Sequence, residues 1–365
     1  MSANKKTYKL FFKSLSITLV AVLLVAGGTF ALLRALVRPP TVPTYSAMPF
    51  FNPYFDEDSA FDFAEHHPDD KLLNLESPLN LVSMEGWTRK PDFVTVLVFG
   101  YDEGLNTDTI MVTAFDAETR GAYIVSVPRD TIVDVSRNMP RLNSAYPVGL
   151  RFGGDGHASG VDQLKREIQT VIGFRPDFYV SVDEDAFARL IDAIGGVMIN
   201  VPFHMRYFDP CQNLRINIPP GFQRLDGENA LNFARFRNAS YGGRAITDHQ
   251  RMVHNQQLMS AIKDEMMTPR LIARIPELIG IYRDNVRTDL SLTDLLWLAE
   301  QFVLGDISLN SYNYPTISQR RLPNANATNT VYFEIPQATE ALELINRTIN
   351  PFTRELTMAN LQLVE

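Results

Sequence analysis

Apolar and polar positions divide the chain into three stretches of different texture. From Leu15 to Leu33 no charge interrupts a run rich in Leu, Val and Ala. At about 1.5 Å rise per residue this run spans roughly 28 Å, the thickness of a bilayer's hydrocarbon core. Residues 39–70 then lose all period: prolines at 39, 40, 43, 49, 53 and 68 alternate with acidic and aromatic residues. That texture predicts a Pro-rich acidic stem over 34–91. Beyond Asp92 short apolar runs return with regular punctuation. Phe93–Phe99, Thr109–Phe115 and Ala122–Val127 read as strands, and Asp116-Ala-Glu-Thr-Arg-Gly121 reads as the turn of an antiparallel hairpin.

Strands and helices alternate thereafter. The pattern predicts a helix near 161–172, a strand at Asp177–Val182, a helix at Asp185–Ile194 and a strand at Val197–Val201. A short helix is expected within Leu225–Leu231. A longer one follows Thr247 to about Met266, with Val253, Gln256, Met259, Ile262 and Met266 on one side and the apolar members facing the core. Helices are also expected at Leu292–Leu304 and Pro336–Ile349. Such alternation implies an α/β fold with a mixed sheet flanked by helices. The expected organisation is a basic tail at 1–14, a transmembrane helix at 15–33, the stem, an α/β domain at 92–265 and an extension at 266–365 packed on it.

Charge changes this picture in two places. The 365-residue chain carries a net −8, with 34 Lys+Arg against 42 Asp+Glu. Residues 1–38 contain no acid and carry Lys5, Lys6, Lys9, Lys13, Arg34 and Arg38; removing those six charges from −8 leaves −14 on residues 39–365. Lysines before the apolar run keep that flank cytoplasmic and put the rest outside. A cleaved signal peptide competes, given the small residues Ala26-Gly-Gly28, but the run continues through Leu33 and favours an uncleaved anchor. An acidic ectodomain argues against nucleic acid as partner. The single cysteine, Cys211, excludes an internal disulfide and a Cys-based zinc site. No Walker loop, HExxH or GxSxG is present.

Candidate chemistry gathers at one end of the hairpin. If Phe115 and Ala122 flank the turn, counting outward places Asp108 opposite Arg129, and Asp102 lies just past the preceding strand. Two carboxylates and a guanidinium suit Mg²⁺ or Mn²⁺ and a phosphate, although spacing alone also fits an ordinary Asp–Arg ion pair. In Ala234-Arg-Phe-Arg237 an extended backbone would align Arg235 with Arg237 for an anion, or for surface ion pairs, whereas a helix would separate them by about 200°. Arg244 and Gln250 follow at a helix start, where free N–H groups could hold phosphate or simply be capped.

These segments, in order, resemble the LytR-CpsA-Psr family over about residues 92–265. The resemblance rests on Val98-Phe-Gly-Tyr-Asp102, Thr107-Asp-Thr109, Ser126-Val-Pro-Arg-Asp130, Arg141-Leu-Asn-Ser-Ala145, Asp192-Ala-Ile-Gly-Gly-Val197, Leu225-Asp-Gly-Glu-Asn-Ala-Leu231 and Ala234-Arg-Phe-Arg237. It implies a bacterial membrane enzyme, single-pass with its N terminus cytoplasmic. Such an enzyme moves a glycopolymer, wall teichoic acid or capsular polysaccharide, from polyprenyl pyrophosphate to peptidoglycan with Mg²⁺. It also implies that Asp102 and Asp108 serve the metal, that Arg129, Arg235 and Arg237 clamp the pyrophosphate, that Asp130 orients Arg129, and that Gln250 closes the site. Two positions depart from the family. Asn106 stands where an arginine is common, and Arg244-Ala-Ile-Thr-Asp-His-Gln250 disturbs the usual Arg-x-x-Arg-Gln. Both lower the site's positive charge. A polyprenyl-pyrophosphate pyrophosphatase and a non-catalytic, membrane-anchored regulatory protein are the competing functions.

Overall fold

A computed structural model describes residues 38–42, 84, 86–101, 106–135, 137, 139–152, 154–209, 214–236, 246, 248–266, 268, 274, 277–278, 280–281, 286–304, 307–323 and 329–364. The expected anchor at 15–33 and most of the stem lie outside them. Among the described residues no helix is long and apolar enough to cross a membrane.

In chain order the elements are β1 (Phe93–Tyr101), β2 (Thr107–Asp116), β3 (Gly121–Ser126), α1 (Ala145–Phe152), α2 (His157–Ile172), β4 (Phe178–Asp183), α3 (Glu184–Ile194) and β5 (Val197–Val201). There follow β6 (Met205–Asp209), β7 (Leu214–Ile218), β8 (Gly221–Leu225), α4 (Gly227–Arg235), α5 (Asp248–Met266) and β9 (Val286–Thr288). The chain continues with α6 (Leu292–Leu304), β10 (Ser308–Asn313), β11 (Thr316–Arg321), β12 (Val331–Pro336) and α7 (Ala338–Thr348).

Residues of β1 alternate between two cores: Phe93, Leu97 and Phe99 belong to one, Val94 and Val96 to the other. A strand apolar on both faces belongs in the middle of a covered sheet. The order is β10-β3-β2-β1-β4-β9, with β1/β4 and β3/β10 parallel and the other neighbours antiparallel. This is the expected mixed sheet. The hairpin pairs Phe115 with Ala122, and Asp116 Oδ1 accepts from the N–H groups of Glu118 (3.0 Å) and Thr119 (3.2 Å) to fold the turn.

The first core lies between the sheet and α1, α2 and α7, with Leu164, Ile168 and Ile345 fully buried. On the opposite face Trp297 of α6 meets Phe115 edge-on, ring centroids 5.3 Å apart. Both sheet edges and one covering helix on each face thus come from beyond residue 285. A further core beside the sheet joins α3, α4 and α5 to the antiparallel pairs β5/β8 and β6/β7 through Ile199, Ile216, Phe233 and Leu258.

Two elements depart from expectation. Among the described side chains of α5, His254, Leu258 and Ala261 are buried and Ile262 packs on the same core as expected, whereas Val253 and Met266 are exposed. His254 lies against Phe233, centroids 5.0 Å apart, so a polar residue type shares the core stripe. Helix α1 has no counterpart among the expected elements, and it contains Pro147 and Gly149. Pro147 falls in the first turn, where the backbone N–H has no helical partner to lose. Gly149 lies against α2: a Cβ there would stand 2.4 Å from the Ser159 carbonyl oxygen. Gly149→Ala gains about 1 kcal/mol of helix propensity. The overpacking costs typically ~1–3 kcal/mol and wins against a rigid carbonyl. A lower thermal midpoint is the expected result, and an unchanged or raised one would refute the close crossing.

Candidate functional site

The site begins with an irregularity in the sheet. The β1/β2 ladder runs regularly to Gly100↔Thr109 and then pairs Tyr101 with Thr107, leaving Asp108 as the extra residue of a bulge. Bulges re-aim side chains. Asp108 Oδ1 meets Nη1 of Arg129 in a direct ion pair, as counting along the hairpin predicts. Arg129 Nε lies 3.9 Å from Asp130 Oδ2, and Asp130 Oδ1 lies 3.1 Å from Arg141 Nη1. Asp108, Arg129, Asp130 and Arg141 therefore form a row of alternating charge.

The backbone beneath this row is fixed from two sides. Asn143 N–H donates to the Arg129 carbonyl (2.9 Å) and Leu142 N–H to that of Thr131 (2.9 Å). From β12, Glu334 N–H donates to the Asp130 carbonyl and receives Ile132 N–H on its own carbonyl, both at 3.0 Å. The Arg141 guanidinium lies over the Phe333 ring, 5.2 Å from its centroid, and donates to the Tyr332 carbonyl. The C-terminal hairpin β11/β12 thus backs the Arg129–Asp130 segment. Arg141 is a neighbour that spacing did not single out; its only signal was the Arg141-Leu-Asn-Ser-Ala145 segment.

A second ion pair stands two strands away, roughly 10 Å between backbones. Tyr101 pairs with Asp183 in the parallel β1/β4 register. Asp183 then caps α3 by accepting from Ala186 N–H (2.7 Å), and the adjacent Glu184 accepts from Arg235 Nη1 at 2.6 Å. Of the two backbones open at 234–237, the structure has the helical one through Arg235, which occupies the last turn of α4, while Phe236 leaves helical geometry with its ring fully buried. Gln250 sits half-buried in the first turn of α5. Asp102, Arg237 and Arg244 lie outside the described residues.

Beside Tyr101 the sheet carries an aromatic floor. Tyr101 and Tyr146 stack at 5.3 Å, and His157 packs against both Tyr146 (5.7 Å) and Tyr179 (5.6 Å). Burial, with the positive charge of Arg287 as the smaller cause, pushes the His157 imidazole down to about 4. The unfolded chain, near 6.5, therefore takes its proton first as pH falls. His157 contributes stability above pH 6.5 that is lost as pH drops toward 4. A His157→Gln variant should lose less of its thermal midpoint across that interval than the unsubstituted protein does. Parallel pH profiles would refute this.

Asp108 offers a carboxylate at an open edge, with 38% of its side chain exposed. Asp102 directly follows Tyr101, the β1 residue that faces Thr107. Magnesium takes one or two protein carboxylates and completes its octahedron with water and substrate phosphate, so this donor chemistry fits it. Among the described residues no three His, Cys, Asp or Glu side chains gather into a closed metal cage.

A profile of the LytR_cpsA_psr family matches residues 62–349. The chain belongs to that family. Among its relatives is the "Regulatory protein MsrR" of Staphylococcus aureus, 27% identical over 265 residues, which cover 70% of this chain and 72% of that protein. Another is the "Polyisoprenyl-teichoic acid--peptidoglycan teichoic acid transferase TagV" of Bacillus subtilis, 29% identical over 251 residues, 67% of this chain and 59% of that one. The crystal structure of B. subtilis TagV superposes with a TM-score of 0.55 at 24% identity, covering 70% of this chain and 95% of TagV. A structure of TagT bound to LI-WTA gives 0.51 at 20% identity, covering 70% and 88%. These likenesses establish that the mixed sheet and its flanking helices are the fold of LytR_cpsA_psr proteins.

Proposed function

We propose that this chain is a membrane-anchored transferase that moves an anionic glycopolymer from a polyprenyl-pyrophosphate carrier to peptidoglycan through a phosphodiester link. The observation that carries the reading is the Asp108–Arg129 pair presented on the β2 bulge in a member of a family that includes the TagV transferase. Arg129 and Arg235, each oriented by a carboxylate, hold the pyrophosphate oxygens, and Asp130 keeps the Arg129 fork in place. Arg237, Arg244 and Gln250 complete the grip. A Mg²⁺ held by Asp102 and Asp108 would supply further charge neutralisation on the phosphoryl oxygens.

An acceptor sugar hydroxyl attacks the phosphorus next to the polymer. Its oxygen–phosphorus bond forms while the bond to the lipid phosphate breaks, and polyprenyl monophosphate leaves with the electron pair. The hydroxyl proton passes to a site carboxylate, Asp102 or Asp108. Positioning and charge stabilisation carry this class of reaction, so no nucleophilic Ser or Cys is needed.

The test incubates the full chain in detergent with a lipid-linked donor, peptidoglycan oligomers and Mg²⁺. Polymer linked to peptidoglycan supports the reading. Free polyprenyl monophosphate without linked polymer makes the chain a hydrolase. Binding without products makes it a regulatory protein, the role that the name of its relative MsrR carries.

A further inference from the structure

Among the described residues, Arg287 has no acidic partner. Arg129, Arg141 and Arg235 are each paired with a carboxylate, whereas Arg287 of β9 makes no ion pair among the described residues and is exposed. The β4/β9 register sets Arg287 opposite Ser181, and the β1/β4 register sets Ser181 opposite Phe99. Neighbours across strands share a face. Arg287 therefore rises from the face of Phe99, Tyr101 and Tyr179, and its charge reaches Tyr101, Tyr146, His157 and Tyr179. The nearby carboxylates are committed elsewhere. Asp183 caps α3, and Asp289 accepts from Lys165 Nζ (3.2 Å) and Tyr179 N–H (2.7 Å).

A second observation comes from His157. Its Nδ1 is 2.7 Å from the Tyr146 hydroxyl, and its buried Nε2 has no partner among the described residues. Assigning Tyr146 as the donor puts the neutral ring's proton on Nε2. A buried donor lacking an acceptor is rare, and a ligand oxygen is one thing that satisfies it. The same floor offers the hydroxyls of Tyr101 and Tyr179 and flat ring faces on which a sugar can rest.

We propose that Arg287, His157 Nε2–H and the hydroxyls of Tyr101 and Tyr179 form a second oxyanion subsite, which takes a phosphodiester of the glycopolymer beside the pyrophosphate position. The inference rests on the transferase reading for the identity of the polymer. A single guanidinium with neutral donors matches the single charge of a phosphodiester. The paired arginines and open carboxylates across β1 suit the more highly charged pyrophosphate. Tyr101 joins the two positions, because it lies opposite Thr107 on one side and Asp183 on the other.

The test uses isothermal titration of the full chain in detergent with two probes, a soluble glycerol-phosphate oligomer and inorganic pyrophosphate with Mg²⁺. Arg287→Gln should weaken oligomer binding about tenfold or more and leave pyrophosphate binding within twofold, with Arg287→Lys recovering part of the loss. Arg129→Gln should show the opposite selectivity. The His157 ring resonances should shift on adding oligomer to the unsubstituted chain and stay still in Arg287→Gln. Unchanged oligomer affinity in Arg287→Gln, or oligomer binding lost only with Arg129, overturns the subsite. Oligomer binding that depends on Arg287, with no pyrophosphate binding, upholds the subsite and removes the transferase reading.

Discussion

Arg129→Gln is expected to lower transfer by roughly a hundred- to a thousandfold, the cost typical of losing one preorganised donor to a developing charge. The substitution removes the central cation of the row and leaves Asp108 and Asp130 facing each other without it. Both carboxylates are about one-third exposed, so their stability cost is small, about 1 kcal/mol or less. Activity and stability should therefore separate: kcat/KM collapses while the thermal midpoint stays nearly constant. Arg129→Lys should not restore the rate, because an ammonium cannot reproduce a planar fork meeting carboxylates on two sides. Near-normal transfer by Arg129→Gln would remove Arg129 from the chemistry.

The second large effect is on stability. Glu167 of α2 is fully buried and its charge is answered by Arg137, whose two terminal nitrogens meet its two carboxylate oxygens. Arg137 also donates to the carbonyls of Met139 (3.1 Å) and Arg141 (2.5 Å), tying the segment that carries Arg141 to α2. Arg137→Met leaves a buried carboxylate without a counter-charge, held among the described residues only by the Gln163 amide (2.8 Å), and should cost ~3–5 kcal/mol. For a domain of this size that is a fall of about 10 °C in the thermal midpoint. The double variant Arg137→Met/Glu167→Leu removes both charges and should recover most of the loss. A single variant as stable as the parent would show that water reaches Glu167 and that the pair is not closed.

How much of this could be read from residues alone depends on the range of the interaction. The β2/β3 hairpin was legible because a short turn sets register locally, and register carried Arg129 to Asp108. The bulge that turns Asp108 toward it was not, since nothing local distinguishes Thr107 from Asp108 as the partner of Tyr101. Whether Arg235 lay on a helix or an extended run was open, because residue type alone cannot say where α4 stops; Phe236 stops it by entering a core assembled from β6, β7 and α5. The burial of His254 on α5 had no sequence signal for a related reason: it follows from the rings of Phe203 and Phe233, brought in from other elements. Arg287 had no sequence signal, because its importance lies in the carboxylate it does not meet.

The sheet's edges bear on the order of events during synthesis. β10 pairs with β3 across the interval from Gly121 to Ser308, and β9 closes the other side only after residue 286. A nascent chain that has released β1 to β4 can cover one face with α1 and α2, but both sheet edges and the face that α6 covers stay open until residues beyond 285 emerge. Loop closure over such distances is slow, and open edges invite pairing with other chains. Neither edge of the sheet can therefore close until residues beyond 285 have been released, whatever the earlier strands have already paired.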